Sequence, residues 1–422
     1  MNLVKAYGNV IKKNFAKPET VLKLIILGIF YEYSRLTIFP NKKTPKSIQY
    51  LNRLGLKFIL EPLKNPQKSA WVTLMAPSQI LHAMDIYPLF IEAFSSFLSG
   101  MECETVFIDY AEKIGIAESL CSYHKAFLGA GEAGILPKPQ FAVTTSLICD
   151  GNINTMKYLA KKYEIPYYAL DIPYEYNKGS EEYVIGQLKE LVAMIENATG
   201  KKLEEEKLKE VLKREQKSRI YQKKYLAQLK NKSFPTTLTS EMFMLFTAHV
   251  FMGRKETCKF YEMLVDEIKN YPESEKIKIF WVHLMPFYQH SLKEYFNNNP
   301  HYQLVGCDLY FDYADEIDYN NPYQTLARRM LLNRYNGCYQ RRVKHISNLI
   351  ENQNPDGVIN FCHWGCKQSS GGVMLLKEEM KQKNIPFLIL EGDGVDKRNG
   401  QDGQIRTRLE AFMEILEKNN SR

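Results

Sequence analysis

The chain has 422 residues and a formal net charge of +8, with 45% hydrophobic and 25% charged residues. This length exceeds one ordinary hydrophobic core and predicts two principal domains. The composition is typical of globular proteins and excludes a disordered or fibrous chain. Because many Asp and Glu accompany the Lys and Arg, we expect no nucleic-acid partner.

We expect neither a membrane span nor an export signal in the N-terminal region. Residues 24–30 are apolar, but Lys23 and Glu32 bracket them, and about 20 residues are needed to cross a bilayer. Residues 1–15 lack an apolar stretch followed by a small-residue cleavage site. We therefore expect a cytoplasmic protein that has no membrane contact.

Strands and helices alternate through the first part of the chain. A short apolar strand at 70–75 leads into a helix that we expect Ser78 to cap. Further strands are predicted at 141–145 and 167–170, with a helix at 154–163 between them. This alternation predicts a parallel α/β sheet.

The second part of the chain repeats this pattern. Residues 199–235 are rich in Lys and Glu, with Leu at helical spacing, and predict one long helical connector with a solvated charged face. After it, strands are predicted at 277–284, 303–305, 357–361 and 386–390.

The predicted fold class is therefore α/β, with two Rossmann-like (flavodoxin-like) parallel-sheet domains, an N-terminal helical segment and a long helical connector. The predicted boundaries are 1–65 for the N-terminal helical segment, 66–198 for the first α/β domain, 199–235 for the connector and 236–422 for the second α/β domain.

The cysteines are the main candidates for chemistry. The chain has eight, and clustered thiols in a reducing compartment are more often metal ligands or catalysts than disulfides. Cys103 and Cys258 lack glycine neighbours, and we interpret them as structural. For each of the other six, taken alone, a buried structural role is an equally good interpretation. All six, however, lie in glycine-containing loops whose amides can approach sulfur, which favours a role as ligands. They are Cys121, Cys149, Cys307, Cys338, Cys362 and Cys366.

Several common cofactor motifs are missing from the sequence. Neither the Cys-x-x-Cys pairs of zinc ribbons nor ferredoxin spacing occurs. Residues 129–134 match G-x-G-x-x-G, but they follow a helical stretch and run into Pro137 and Pro139, so we do not expect a dinucleotide site. No P-loop motif occurs either, so any ATP hydrolysis has to come from another protein.

Four segments carry a family resemblance: residues 121–123 with 127–129, residues 144–151, residues 170–173 and residues 403–412, the last being the most specific. They resemble the 2-hydroxyacyl-CoA dehydratase and benzoyl-CoA reductase superfamily. Within it, the cysteine pattern is most similar to the double-cubane cluster proteins.

The resemblance implies a [4Fe-4S] cluster held by three cysteines, and the matching positions are Cys121, Cys149 and Cys362. One iron would then lack a protein thiolate and stay open to a substrate atom or a bridging ligand.

The additional cysteines Cys307, Cys338 and Cys366 resemble the second ligand set of the double-cubane proteins. There, two cubanes with three thiolates each share a bridging sulfide in an [8Fe-9S] cluster. Cys103 is the reserve candidate for this second set.

The resemblance also implies partners and an activity. It predicts a homodimer that receives low-potential electrons from an ATP-hydrolysing iron-sulfur activator protein and reduces a small-molecule substrate. His124 and His363 are sequence neighbours of Cys121 and Cys362, and we consider them candidate catalytic proton donors, with a structural role as the alternative.

Two alternative functions remain open at this point. One is the [4Fe-4S] subunit of a 2-hydroxyacyl-CoA dehydratase, in which an electron enters a thioester and water leaves. The other is an iron-sulfur cluster carrier without turnover. About eight irons per chain would favour the double-cubane interpretation, and about four would favour the dehydratase.

Overall fold

The structure is a computed structural model that describes residues 3–311, 313 and 317–420. Its strands are β1 (Ser69–Val72), β2 (Tyr87–Phe90), β3 (Phe141–Thr145), β4 (Tyr167–Leu170), β5 (Ile277–Val282), β6 (Tyr302–Cys307), β7 (Gly357–His363) and β8 (Phe387–Gly392). They form two four-stranded parallel sheets with the orders β2-β1-β3-β4 and β6-β5-β7-β8. The same doubly wound order occurs in flavodoxin-like sheets. The predicted fold class, with two Rossmann-like domains, is confirmed.

Helices surround both sheets. They are α1 (Leu3–Lys13), α2 (Pro18–Ile38), α3 (Lys46–Lys64), α4 (Ser78–Ala83), α5 (Ile91–Gly100), α6 (Glu104–Lys113), α7 (Ser122–Glu132), α8 (Asp150–Tyr163), α9 (Lys178–Thr199), α10 (Glu205–Leu229), α11 (Leu238–His249), α12 (Lys255–Ile268), α13 (His290–Phe296), α14 (Pro322–Leu331), α15 (Tyr339–Gln353), α16 (Lys367–Ser370), α17 (Val373–Gln382) and α18 (Asp402–Asn420). Within the residues that the structure describes, no helix combines the length and the apolar character needed to cross a membrane.

The central strands are buried on both faces, as expected for parallel sheets covered by helices. Every residue of β1, β3 and β7 is buried. Trp71 of β1 is fully buried and packs edge-on against Phe127 and Tyr163, which lie on α7 and α8. The apolar residues of these strands therefore form the core of each sheet. The loops at the carboxyl ends of the strands are left to hold polar and functional side chains.

Helix α10 does more than connect the two domains. The carboxylate of Glu215 is fully buried and accepts a hydrogen bond of 2.8 Å from Gln79, on α4 beside the first sheet. The same carboxylate lies 2.9 Å from Arg219 on its own helix and 2.9 Å from Arg329 on α14. A buried carboxylate is stable only when paired in this way. The predicted solvated face exists, with pairs such as Lys209–Glu205, but the opposite face is buried between the two lobes.

Two local features differ from the sequence-based expectations. The edge strand β2 has no clear signal in the sequence, because its four residues include Pro88, and proline is tolerated only at sheet edges. Ser78 does not cap α4: the helix begins at Ser78 itself, and the hydroxyl contacts the Ala76 carbonyl oxygen.

The glycine-rich segment at 129–134 serves helix packing. Gly129 and Gly131 lie within α7, so this segment does not connect a strand to a helix. A Cβ atom on Gly129 would lie 1.9 Å from the carbonyl oxygen of Phe107 on α6. The glycine therefore permits α6 and α7 to approach closely.

This packing gives a testable prediction for Gly129→Ala. The added methyl group meets backbone that cannot rotate away, so we expect the free energy of unfolding to fall by about 3 kcal/mol in denaturant titrations. The control is Gly186→Ala in α9, where a Cβ meets nothing within 4 Å. There we expect a gain of about 0.5 to 1 kcal/mol, because glycine weakens helix interiors. Equal effects at the two sites would contradict the packing argument.

Candidate functional site

Five cysteines directly precede helices, and the three of them that precede α7, α8 and α16 influence one another. Cys121 immediately precedes α7, Cys149 precedes α8 and Cys366 precedes α16. Cys149 follows β3 and Cys366 follows β7, so both lie past the carboxyl ends of parallel strands, where ligands collect in open α/β sheets.

Backbone amides point at two of these sulfurs. The backbone N–H of Tyr123 lowers the pKa of Cys121, and the N–H groups of Asn152 and Gly151 lower that of Cys149, so they partly oppose the effect of burial. Such donors, together with the positive end of the helix dipole, stabilise a thiolate. The local structure therefore suits sulfur ligands that carry negative charge.

A glycine brings the third thiol to the other two. Gly365 has a φ of +74°, and a Cβ atom there would lie 2.6 Å from the backbone nitrogen of Cys121. The loop after β7 therefore rests directly on the start of α7, which only glycine allows. Cys366, the next residue, is placed beside the first lobe.

The three thiols are close enough to influence one another electrostatically. Burial raises the pKa of Cys121 well above its usual value, and the charges of Cys366 and Cys149 raise it further. Burial, followed by the charge of Cys366, raises the pKa of Cys149 to about 11. We call Cys121, Cys149 and Cys366 the three-thiol group.

Each thiol of this group has one buried histidine beside it. The Nε2 to Sγ distances are 3.2 Å for His363 and Cys121, 3.9 Å for His124 and Cys149, and 3.6 Å for His283 and Cys366. His124 thus contacts Cys149 and His363 contacts Cys121, although each is the sequence neighbour of a different cysteine.

Burial favours the neutral form of the three imidazoles. Burial lowers the pKa of His124 to about 4 and that of His283 to about 3. Burial also lowers the pKa of His363, although the charge of Asp393 opposes this shift. A neutral imidazole carries a single N–H, so each ring can donate one hydrogen bond.

Sequence reasoning missed His283, which follows β5. Its φ is +78°, a backbone conformation that residues other than glycine rarely adopt. Its backbone N–H donates to the carboxylate of Asp308 at 2.8 Å. The same carboxylate accepts from Tyr335 at 2.7 Å and from Arg342 at 2.9 Å, and Arg342 also donates to the carbonyl oxygen of Gln368 on α16. This network holds both His283 and the segment after Cys366. A histidine at the end of a predicted strand was the signal available in the sequence.

The sequence-based choice of Cys362 as the third thiol differs from this arrangement. Cys362 lies within β7, where its thiol receives a 3.4 Å contact from Asn360 and donates to the carbonyl oxygen of Ser369 at 3.4 Å. Cys366 is placed against Cys121 because the chain reaches α7 only after the turn at Gly365. Cys362 and Cys366 thus lie on one segment, and the charge of Cys366 raises the pKa of Cys121, Cys149 and Cys362 alike.

The other cysteines are placed separately. Cys307 is fully buried and donates to the carbonyl oxygen of His283 at 3.4 Å, and Cys338 is exposed before α15. Cys103 and Cys258 lie buried in helical regions.

The donors of the three-thiol group fit an iron-sulfur cluster. Among the described residues, no three Cys, His, Asp or Glu side chains converge closely enough for one metal ion, whereas a four-iron cluster separates its thiolates further than a single ion does. Asn152, beside Cys149, is buried with both amide atoms unpartnered, as is the hydroxyl of Thr145 at the end of β3. Thiols, amide donors and unsatisfied polar atoms together suit a polar, sulfur-ligated group.

Known proteins are similar to this chain in sequence. The family model described as "2-hydroxyglutaryl-CoA dehydratase, D-component" matches residues 73–416, which include the three-thiol group and every strand except β1. The chain is 24% identical over 403 residues to the "(R)-phenyllactyl-CoA dehydratase alpha subunit" of Clostridium sporogenes, covering 89% of this chain and 96% of that protein. It is 26% identical over 357 residues to a subunit of benzoyl-CoA reductase from Thauera aromatica, covering 74% and 80%.

A third relative, "Lactoyl-CoA dehydratase subunit alpha" of Anaerotignum propionicum, is 22% identical over 389 residues, covering 83% of this chain and 90% of that protein. The superfamily expected from the sequence motifs is thereby confirmed. The chain belongs to the 2-hydroxyglutaryl-CoA dehydratase D-component family of the 2-hydroxyacyl-CoA dehydratase and benzoyl-CoA reductase superfamily.

Proposed function

We propose that the chain is a cluster-bearing enzyme subunit that reduces a small molecule with electrons from a separate ATP-hydrolysing iron-sulfur activator. The observation that carries the proposal is the three-thiol group, in which cysteines from three distant loops meet at helix N-termini. A bound cluster would supply low-potential one-electron chemistry. Three thiolates leave one iron of a cubane without a protein ligand, which gives a substrate a place to bind.

The surroundings of the thiols support the need for an activator. Burial raises the pKa of both Cys121 and Cys149, because negative charge is poorly solvated there. The same environment opposes the addition of an electron to a group already rich in thiolate and sulfide. Since the sequence has no P-loop, ATP energy would have to come from a partner protein.

We further propose a double cubane, with Cys307, Cys338 and Cys362 as the second ligand set. Cys307 contacts the backbone of His283, whose ring lies beside Cys366. Burial raises the pKa of Cys362 to about 11, and the charges of Glu391 and then Cys366 add to the effect. Two of the three remaining thiols thus lie around the loop that carries Cys366.

The second candidate is the [4Fe-4S] subunit of a 2-hydroxyacyl-CoA dehydratase. It is favoured by the name and the 96% coverage of the phenyllactyl-CoA relative. It is also favoured by the imidazole contacts: within the described residues, the thiols that contact a histidine ring all belong to the three-thiol group. That relative is named as an alpha subunit, so a second subunit would be expected here instead of the homodimer.

Cysteine variants test the site. After anaerobic reconstitution with iron and sulfide, we expect Cys121→Ser, Cys149→Ser and Cys366→Ser each to lose at least about half of the bound iron, because each removes one of the three ligands of a cubane. Cys258→Ser, a buried position on α12, is the matched control and should keep the wild-type content. If Cys362→Ser abolishes binding while Cys366→Ser does not, the third ligand is Cys362. Wild-type protein that binds no iron would refute the proposed function.

Iron and sulfide analysis separates the two candidates. A double cubane predicts about eight irons per chain, with a loss of about half in Cys307→Ser or Cys338→Ser. A single cubane predicts about four irons and no response to those changes. A carrier protein would instead donate its cluster to an apo-acceptor within minutes, and retention of the cluster under those conditions would exclude that role.

The raised thiol pKa values predict slow alkylation of the metal-free protein. With a pKa of about 11, about one Cys149 thiol in a thousand is ionised at pH 8, and only the thiolate reacts. The alkylation rate of Cys149 by iodoacetamide, followed by mass spectrometry, should rise roughly tenfold per pH unit from pH 7 to pH 10. A rate that levels off below pH 9 would contradict the raised pKa. Exposed Cys338 provides the internal reference for reagent access.

A further inference from the structure

The histidines beside the three-thiol group form a matched set. Each of the three thiols has one histidine, each contact is made through Nε2, and all three rings are buried. We propose that His124, His283 and His363 are positioning residues that each donate an N–H to one cluster thiolate and so raise the reduction potential of the cluster. This inference rests on the proposed function, because it needs a cluster on the three thiols.

The tautomer of His363 is fixed by its backbone neighbour. The N–H of Gly394 donates to Nδ1 of His363 at 2.8 Å, so Nδ1 is an acceptor and Nε2 carries the proton. Nε2 in turn lies 3.2 Å from the Cys121 sulfur. The ring can therefore donate to the thiolate but cannot take a proton from it at this nitrogen.

The nearby carboxylate of Asp393 does not compete for this ring. Its Oδ1 lies 3.7 Å from Nδ1, beyond hydrogen-bond distance, and already accepts the N–H groups of Val395 and Asp396 at 2.8 and 2.9 Å. Its Oδ2 accepts from Ser122 and Asn399. Because the Asp393 carboxylate already accepts four hydrogen bonds, Nδ1 of His363 accepts its hydrogen bond from the backbone N–H of Gly394 instead.

His124 has a similar arrangement within the first lobe. Its Nδ1 lies 2.9 Å from the hydroxyl of Thr155 on α8, which can donate to Nδ1 and leave the N–H of Nε2 facing Cys149. A Cβ on Gly151 would lie 3.2 Å from both the Cys149 sulfur and Nε2 of His124. The absence of a side chain there keeps the contact open.

The fold holds His283 at Cys366 in a strained conformation. Its φ of +78° is rarely adopted by residues with a side chain, and the buried Asp308 and Arg342 pair fixes its backbone N–H. Strain of this kind persists only where the surrounding structure enforces it. The result is a ring whose Nε2 lies 3.6 Å from the Cys366 sulfur.

The expected effect follows from charge. A cluster gains one negative charge when it accepts an electron, and N–H groups directed at its thiolates stabilise the more negative form. Removing one donor should therefore shift the midpoint potential to a more negative value. The contact of His363 with Cys121 crosses between the lobes, so this donor also depends on how the lobes pack.

The experiment compares two replacements at each histidine. In His→Gln variants the amide group can place an N–H near the original Nε2, whereas His→Leu variants remove the donor. His290→Leu is the control, because the His290 side chain is 77% exposed on α13 and distant in sequence from the thiols. Iron and sulfide are measured first, and the midpoint potential is then determined by titration with titanium(III) citrate monitored by electron paramagnetic resonance.

We expect each Leu variant with wild-type iron content to show a more negative midpoint potential, each Gln variant to lie close to wild type, and His290→Leu to be unchanged. Iron-loaded Leu variants with the wild-type potential, or equal shifts in Leu and Gln variants, would overturn the inference while leaving the cluster in place. Wild-type protein without iron would overturn the inference and the proposed function together.

The metal-free protein gives a second measurement that is independent of loading and of variant folding. Nitrogen-15 NMR of the imidazoles should show His363 as the Nε2–H tautomer at neutral pH. Detection of the Nδ1–H tautomer would overturn the assignment of His363 as a donor to Cys121.

Discussion

Burying cysteine thiols close to one another, away from water, is the constraint on which this structure depends. Burial and mutual repulsion raise the pKa of Cys121 and Cys149, so the metal-free fold keeps these thiols protonated. Helix N-termini and backbone amides oppose that cost locally. Under the proposed function, a cluster that takes up the sulfur charge would remove the repulsion, and its binding would release protons and depend on pH.

The same constraint explains why the lobes must fit closely. The three-thiol group is complete only when the loop at Gly365 rests on the start of α7. A second connection between the lobes is the buried carboxylate of Glu215, which joins Gln79 of the first lobe to Arg329 of the second. One helix, α10, thus contributes to the relative position of the two sheets, although its sequence looks like that of a solvated spacer.

The sheets could be predicted well from the sequence, and the site only in part. The strands at 141–145 and 167–170 match the structure because continuous apolar runs between loops leave few alternatives. The family resemblance groups Cys121, Cys149 and Cys362, whereas in the structure Cys366 is the thiol whose charge acts on both Cys121 and Cys149. The choice depends on a turn at Gly365 and on packing between lobes, neither of which has a periodic signal. His283 was missed for the same reason, since its importance lies in a contact and not in a motif.

The histidine contacts show how sequence adjacency misleads at such a site. His124 is three residues from Cys121 along the chain, yet α7 directs its ring to Cys149. His363 follows Cys362 in β7, and because successive strand side chains point to opposite faces, its ring turns towards Cys121 instead. Each histidine therefore contacts a cysteine other than the one beside it in the sequence. The pairing that results gives each thiol of the group one neutral imidazole, an arrangement that the order of residues along the chain does not indicate.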